Sequence, residues 1–312
     1  MFQLNNTLNL VTLVILVTLV MSSSITLTPQ DLLIHDSYYT AILTAAKWSL
    51  PITILMSGFQ GSGKSTCANL LQADLTSLHV TNEIFSTDHY FVDPVTQTYQ
   101  FEPSKLGEYH NKNFNAFEES KVQVRIIDNT NVVRQDYAKY LQEAQQQGHI
   151  CVMLSTKLDL PSVFAARNLH GVPEATIANK MKKYSVQGPM YLGCFMKRDD
   201  LNKILTDLFL PLPTQKAPLH VTCLFIQGKE DLITKHKQSQ EYGKRVTVQI
   251  LGYSENEAGR ALLVECPMGG NHITLHTHEG KKPVDVGKAM TASNTMMWYS
   301  PRSIECLYMP MF

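Results

Sequence analysis

Positive charge is missing from the start of this chain: no Lys or Arg precedes Lys47. The apolar run at residues 8–21 therefore lacks the cationic flank of a secretory leader, and no small-residue cleavage site follows it. It is also shorter than the about 20 residues a transmembrane helix needs. Three readings stay open: a membrane anchor, an uncleaved leader, or an upstream extension with the functional start at Met21. The last is preferred, then the first. Paired cysteine motifs are missing too. Six Cys (67, 151, 194, 223, 266 and 306) are scattered with no C-x-x-C, so neither a zinc site nor a disulfide framework follows, and a reducing compartment is the default. Net charge is absent: 27 Lys and Arg balance 27 Asp and Glu. That excludes a general nucleic-acid coat but leaves room for an enzyme gripping one RNA end.

The rest is ordinary globular composition. With 312 residues, 44% of them hydrophobic, the chain has enough for two domains with proper cores. Its organising stretch is Gly58-Phe59-Gln60-Gly61-Ser62-Gly63-Lys64-Ser65-Thr66, which reads G-x-x-x-x-G-K-S. Pro51 to Ser57 before it is an apolar run suited to a buried parallel strand. Thr66 to Gln72 after it runs at helical spacing. The glycines Gly58, Gly61 and Gly63, with Ser62, let backbone N–H groups close around phosphate oxygens, and the helix N-terminus adds its positive end. Lys64 would reach the β- and γ-phosphates of ATP or GTP, with Ser65 on Mg²⁺.

Downstream, strands and helices alternate, which predicts a parallel sheet covered by helices on both faces. A helix from Thr28 to Ala46 precedes the loop, with Thr28 as cap. Asp88 follows one strand and would sit at the nucleotide edge, placed to accept a proton from an attacking hydroxyl. The run Val122–Ile127 ends in Asp128, the layout of a second Mg²⁺ support. Arg167, on a helix before Gly171-Val172-Pro173, fits a lid arginine.

The segment Tyr184 to Pro189 breaks this rhythm. Beyond it lie two similar strands, Leu219–Phe225 and Asn271–His276, containing His220-Val221-Thr222 and His272-Ile273-Thr274. His and Thr two apart point to the same strand face, so two such strands side by side would surround one phosphate. His79-Val80-Thr81 repeats the pattern and reads as an ordinary strand entering the first sheet. His276 and His278 have metal-pair spacing, but no carboxylate or Cys cluster completes a site.

Taken together these residues resemble a known group, the P-loop kinases related to polynucleotide 5′-hydroxyl kinase. The likeness covers about residues 51–184. It is carried by Gly58–Thr66, Ser86–Phe91, Tyr99–Pro103, His110, Ile127–Asn131, Arg167-Asn168 and His170–Pro173. Residues 191–312 are similar to a two-histidine phosphoesterase domain. The order of the two is that of 2′,3′-cyclic nucleotide 3′-phosphodiesterases and of the carboxy-terminal part of fungal and plant transfer-RNA ligases. The resemblance implies an α/β P-loop kinase domain followed by a smaller α+β two-histidine domain, divided as residues 1–27 (extension), 28–187 and 190–312. It implies Asp88 as base for the 5′-hydroxyl and Arg167 as lid arginine. It also implies hydrolysis of 2′,3′-cyclic phosphates to 2′-phosphates by His220, Thr222, His272 and Thr274, with no cofactor in that half. Which histidine is acid and which base stays open. RNA ends or 2′,3′-cyclic nucleotides would be the substrates. The expected location is the cytoplasm, with membrane association through residues 8–21 as an added reading. Two alternatives accompany this: a phosphodiesterase with a non-catalytic nucleotide-binding first domain, and a membrane-tethered binding module.

Overall fold

The computed structural model describes residues 27–184, 188–227 and 241–312. Helices α1 (Pro29–Leu32) and α2 (Asp36–Lys47) lead into β1 (Ile52–Ser57) and α3 (Lys64–Ser77). The single helix expected from Thr28 to Ala46 is thus two, because Leu33 leaves the helix to bridge Thr156. Then come β2 (Asn82–Phe85), α4 (Leu106–Glu119), β3 (Val124–Ile127), α5 (Arg134–Gln146) and β4 (Ile150–Ser155). His79 and Thr81 precede β2 rather than forming part of it, and His79 sits in a turn at φ 58°. The four strands form one parallel sheet in the order β2-β3-β1-β4. Every residue of β1 and β4 is buried, which requires cover on both faces. Helices α6 (Pro161–Arg167) and α7 (Glu174–Met181) follow.

The second half departs from expectation. It contains β5 (Tyr191–Phe195), α8 (Arg198–Asp207), β6 (His220–Phe225), β7 (Arg245–Asn256), β8 (Gly259–Glu265), β9 (His272–Thr277), α9 (Pro283–Lys288) and β10 (Thr295–Met311). Six of these strands close into an antiparallel barrel, in the order β10-β5-β6-β9-β8-β7. A kinase domain followed by an α+β two-histidine domain is therefore corrected to a four-stranded parallel sheet plus a closed six-stranded barrel. The reason lies in β10. This 17-residue strand pairs with β5 along one stretch and with β7 along another. Closure of that kind removes both sheet edges and depends on long-range pairing that local alternation does not report.

The two halves share a core. Phe195, Leu307, Met309, Met311 and Phe312 pack into the same apolar cluster as β1, β3 and β4. The Phe312 N–H donates to the Cys151 carbonyl at 3.0 Å, so Phe312 is fixed beside β4. The barrel interior forms its own cluster around Leu192, Val221, Val248, Leu262, Ile273 and Tyr308.

The expectation of cytoplasmic location with membrane association does not stand. Among the described residues no helix is long and apolar enough to cross a membrane. The run at 8–21, on which the association rested, lies outside those residues, as does part of the expected boundary at 184–189.

Candidate functional site

The parallel sheet delivers the phosphate loop to a cleft of about 580 Å³. The loop turns between β1 and α3, with Gly61 at φ 80° and Gly63 at φ 91°, a region that L side chains avoid. A Cβ at Gly61 would lie 2.1 Å from the Phe164 carbonyl oxygen, so α6 is packed directly on the loop. Gly61, Ser62, Gly63, Lys64, Ser65 and Thr66 all line the cleft. Gly58 has a different job. Its N–H is committed to the Thr130 carbonyl at 3.0 Å, and a Cβ there would meet Thr156 Oγ1 at 2.0 Å. It lets the loop close onto β4 and the Thr130 turn.

Lys64 is buried, and its Nζ donates to the Phe59 carbonyl at 2.8 Å. An ammonium has three donors, so this bond leaves others for phosphate. Burial lowers the Lys64 pKa, while the carboxylates Asp128 and Asp88 oppose that effect. Asp128 stands just past β3, and burial raises its carboxyl while Lys64 and a hydrogen bond from Ser65 pull it down. Asp128 Oδ1 is buried with no hydrogen-bond partner. An orphaned carboxylate oxygen beside a serine hydroxyl is a donor set that fits Mg²⁺.

Asp88 and Arg167 line the same cleft. Asp88 is held by the Tyr99 hydroxyl at 3.2 Å and by His170 Nε2 at 3.7 Å, and the Tyr99 and His170 rings are 4.1 Å apart. Asn129 accepts the Thr87 N–H at 3.1 Å, which fixes the turn carrying Asp88. Arg167, at the end of α6, has a side chain 64% exposed and lies 3.6 Å from Asp159. The expected kinase residues other than Gly58 are thus brought to one cleft, with Arg167 largely exposed at its edge. Tyr99 and His170 are the positioning residues that the spacing of charged groups alone does not pick out.

The His and Thr strands meet in the barrel. β6 and β9 are antiparallel neighbours, with Val221 opposite Ile273. Both are fully buried in the barrel interior. Continuing that register by one residue each way sets His220 opposite Thr274 and Thr222 opposite His272. Side chains alternate along strands, so all four lie on the face opposite Val221 and Ile273. Cross-strand neighbours have Cβ atoms about 5 Å apart, which brings the four polar groups around one small volume.

Polar contacts orient each imidazole. His220 Nδ1 lies 2.9 Å from the Pro218 carbonyl oxygen. A carbonyl only accepts, so Nδ1 carries the proton and Nε2 is left with its lone pair. The ring lies against Tyr191 at 4.8 Å, stacked, and against Phe195 at 5.2 Å. This burial pushes the His220 pKa down to about 4, and nearby His272 adds to the effect. His272 Nδ1 is 3.0 Å from Asn271 Oδ1; burial also lowers its pKa, against the opposing pull of a hydrogen bond to the Pro283 backbone. Helix α9 covers this end: a Cβ on Gly287 would sit 2.3 Å from His272 Cε1. Thr274 Oγ1 donates to the Pro283 carbonyl at 3.4 Å.

No family model matches this chain, and no curated protein matches it. Among solved structures, one similar chain comes from a complex of AvrRxo1-ORF1 with AvrRxo1-ORF2 that contains sulphate ions. The match is 15% identical with a TM-score of 0.27, over 38% of this chain and 43% of that one. This chain thus spans less than half the length of that structure, and so distant a likeness bears on neither fold nor function.

Proposed function

We propose that this chain processes RNA ends, hydrolysing a 2′,3′-cyclic phosphate in its second half and phosphorylating a 5′-hydroxyl in its first. The observation that carries the reading is the β6–β9 register, which collects His220, Thr222, His272 and Thr274 on one face. Neutral His220 takes a proton from water through Nε2. The water oxygen bonds to phosphorus, and the bond to the ribose 3′ oxygen breaks. His272, protonated, gives its Nε2 proton to that leaving oxygen, and a 2′-phosphate results. Thr222 donates to the non-bridging oxygens, where negative charge accumulates, and Thr274 joins it when its hydroxyl turns from the Pro283 carbonyl.

In the first half, the loop N–H groups and Lys64 hold the phosphates of ATP or GTP. Asp88, steadied by Tyr99, accepts the 5′-hydroxyl proton, and Arg167 closes on the transferring group. Ser65 and Asp128 would hold Mg²⁺, which when bound neutralises charge on the β- and γ-oxygens. Support for these roles is the shared cleft and the unpartnered Asp128 oxygen.

The test has two arms. Purified chain is incubated with a 2′,3′-cyclic nucleotide, and separately with 5′-hydroxyl RNA plus γ-labelled ATP or GTP. Turnover in both arms is expected. No opening of the cyclic phosphate sinks the main proposal. The second reading, a phosphodiesterase whose first half only binds nucleotide, is favoured by the exposed, Asp159-paired Arg167. Cyclic-phosphate turnover without label transfer would establish it.

A further inference from the structure

The barrel interior holds a side-chain cluster that neither proposed activity uses. Cys194 on β5, Cys223 on β6 and Cys266 just past β8 converge with their sulfurs all within 4.8 Å of one another. Cys194 Sγ lies 3.6 Å from Cys223 Sγ and 3.6 Å from Cys266 Sγ. All three are free thiols. They are far apart in the chain, so no short motif announces them.

Two local irregularities bring them together. On β6, Leu192 pairs with Leu224 and Gly193 pairs with Thr222, which leaves Cys223 as the extra residue of a bulge. A bulge re-aims the side chain it carries. The second irregularity is the turn after β8. It closes with the Gly269 N–H on the Cys266 carbonyl at 3.0 Å. Gly269 at φ 96° and Gly270 at φ 80° continue it. A Cβ on Gly270 would sit 2.3 Å from the Thr222 carbonyl oxygen, and one on Gly269 would sit 3.3 Å from the Cys223 carbonyl oxygen. Only glycine lets this turn press onto β6 closely enough for Cys266 to meet the other two.

The spacing suits metal better than sulfur–sulfur bonding. Zn–S bonds of about 2.3 Å in tetrahedral geometry set neighbouring sulfurs about 3.8 Å apart. The 3.6 Å contacts need only a few tenths of an ångström of adjustment. A disulfide, at about 2.05 Å, needs a much larger one. Three thiols and no nearby carboxylate in the cluster select a soft, thiophilic ion over Mg²⁺ or Ca²⁺. Cys194 is fully buried and Cys266 nearly so, while Cys223 is half-buried and gives the ion a way in.

We propose that Cys194, Cys223 and Cys266 form a three-thiolate Zn²⁺ site that ties β5, β6 and the β8–β9 turn together. Its role is structural. Cys223 directly follows Thr222, and Cys266 lies shortly before His272. The two His/Thr strands are themselves joined at Val221 and Ile273, so the ion steadies the pair from beneath. The site stands on the cysteines alone and does not depend on the activity proposed above.

The experiment uses the full chain, reduced, stripped with a chelator and titrated anaerobically with Cd²⁺. One equivalent should bind, with a near-ultraviolet sulfur-to-cadmium band of three-thiolate intensity and a raised melting temperature. Zn²⁺ should compete and erase the band. Cys223→Ser should weaken Cd²⁺ binding by more than about 100-fold, beyond the loss seen when only a supporting partner is removed. Cys223→Ala serves the same purpose if the serine variant misfolds. No thiolate band in the wild-type chain, or equal binding by both Cys223 variants, overturns the proposal. So does a chain that, purified without reductant and then denatured in chelator, still lacks two titratable thiols in this cluster, because the cluster is then a disulfide.

Discussion

The phosphate loop gathers its donors from one continuous stretch, Gly58–Thr66, whereas the four His and Thr side chains come from strands separated by β7 and β8. The first site is an open cleft with cations and carboxylates facing one another across it. The second is half-buried between Tyr191, Phe195 and helix α9. A loop that wraps a highly charged ligand can be built locally, because backbone N–H groups supply the binding. An acid–base pair needs two side chains held at fixed separation in a desolvated place, which only tertiary pairing provides.

The sharpest way to break this contrast is to show that the two sites are not independent. His272→Ala should lower cyclic-phosphate hydrolysis by about 10²–10⁴-fold, the usual worth of a general acid, and leave phosphoryl transfer unchanged. Lys64→Ala should do the reverse, by at least about 10²-fold. Each variant is assayed on both substrates, with circular dichroism as the folding check. Loss of both activities in either folded variant contradicts the two-site reading.

A pair of glycines sharpens it next. Gly61 abuts the Phe164 carbonyl and Gly287 abuts the His272 ring. Gly61→Ala places a methyl against backbone at φ 80° and should cost about 1–3 kcal/mol together with nucleotide affinity. Gly287→Ala meets only the tip of an imidazole, so the ring turns aside while the fold survives. Cyclic-phosphate turnover should fall by about 10–100-fold with little change in melting temperature. An unaltered kcat/KM in Gly287→Ala would mean that α9 does not hold His272 where it acts.

How much of this was legible beforehand follows the same division. The loop, Asp88, Asp128 and the strand–helix alternation are local patterns, and the cleft does assemble them. The His/Thr spacing gave the strand face but not the partner strand, and the register needed the structure. Barrel closure was hidden because β10 makes its contacts with β5 and β7 across more than 100 residues and about 50 residues of chain respectively. The cysteine cluster was hidden for the same reason, with a bulge that no propensity reports. Gly58 was misread in detail, since its N–H goes to Thr130 rather than to a ligand.

Acid should separate the regions further. His220 is pushed down to about 4 and His272 is lowered from its usual 6.5. The base must be neutral and the acid protonated. The kcat/KM for cyclic-phosphate opening should therefore rise above about pH 4 and decline before pH 6.5 is passed. A plateau extending above pH 7.5 contradicts the assignment of His272 as acid. Stability carries a related signature. Buried His149, with a folded value of about 4, takes up a proton more readily when unfolded. Between pH 6.5 and 4 the unfolded chain therefore binds more protons, and stability falls as pH falls. The drop from 6.5 to about 4 corresponds to on the order of 3 kcal/mol. Urea melts across that range on His149→Gln should show a shallower acid loss than wild type.

The smallest effect tests whether the orientation of His272 matters apart from its presence. Asn271 Oδ1 accepts the His272 Nδ1 proton at 3.0 Å in an exposed setting. One such neutral hydrogen bond is worth about 0.5–1.5 kcal/mol, so Asn271→Ala should lower kcat by no more than about tenfold. KM should hardly move, because Thr222 and Thr274 still face the phosphate. Asn271→Asp keeps an acceptor and adds a negative charge, which favours the imidazolium and should move the alkaline limb of the pH profile upward. A merely structural Asn271 would lower stability without moving that limb. The direction of the limb in Asn271→Asp therefore decides whether this side chain positions the acid or only caps the start of β9.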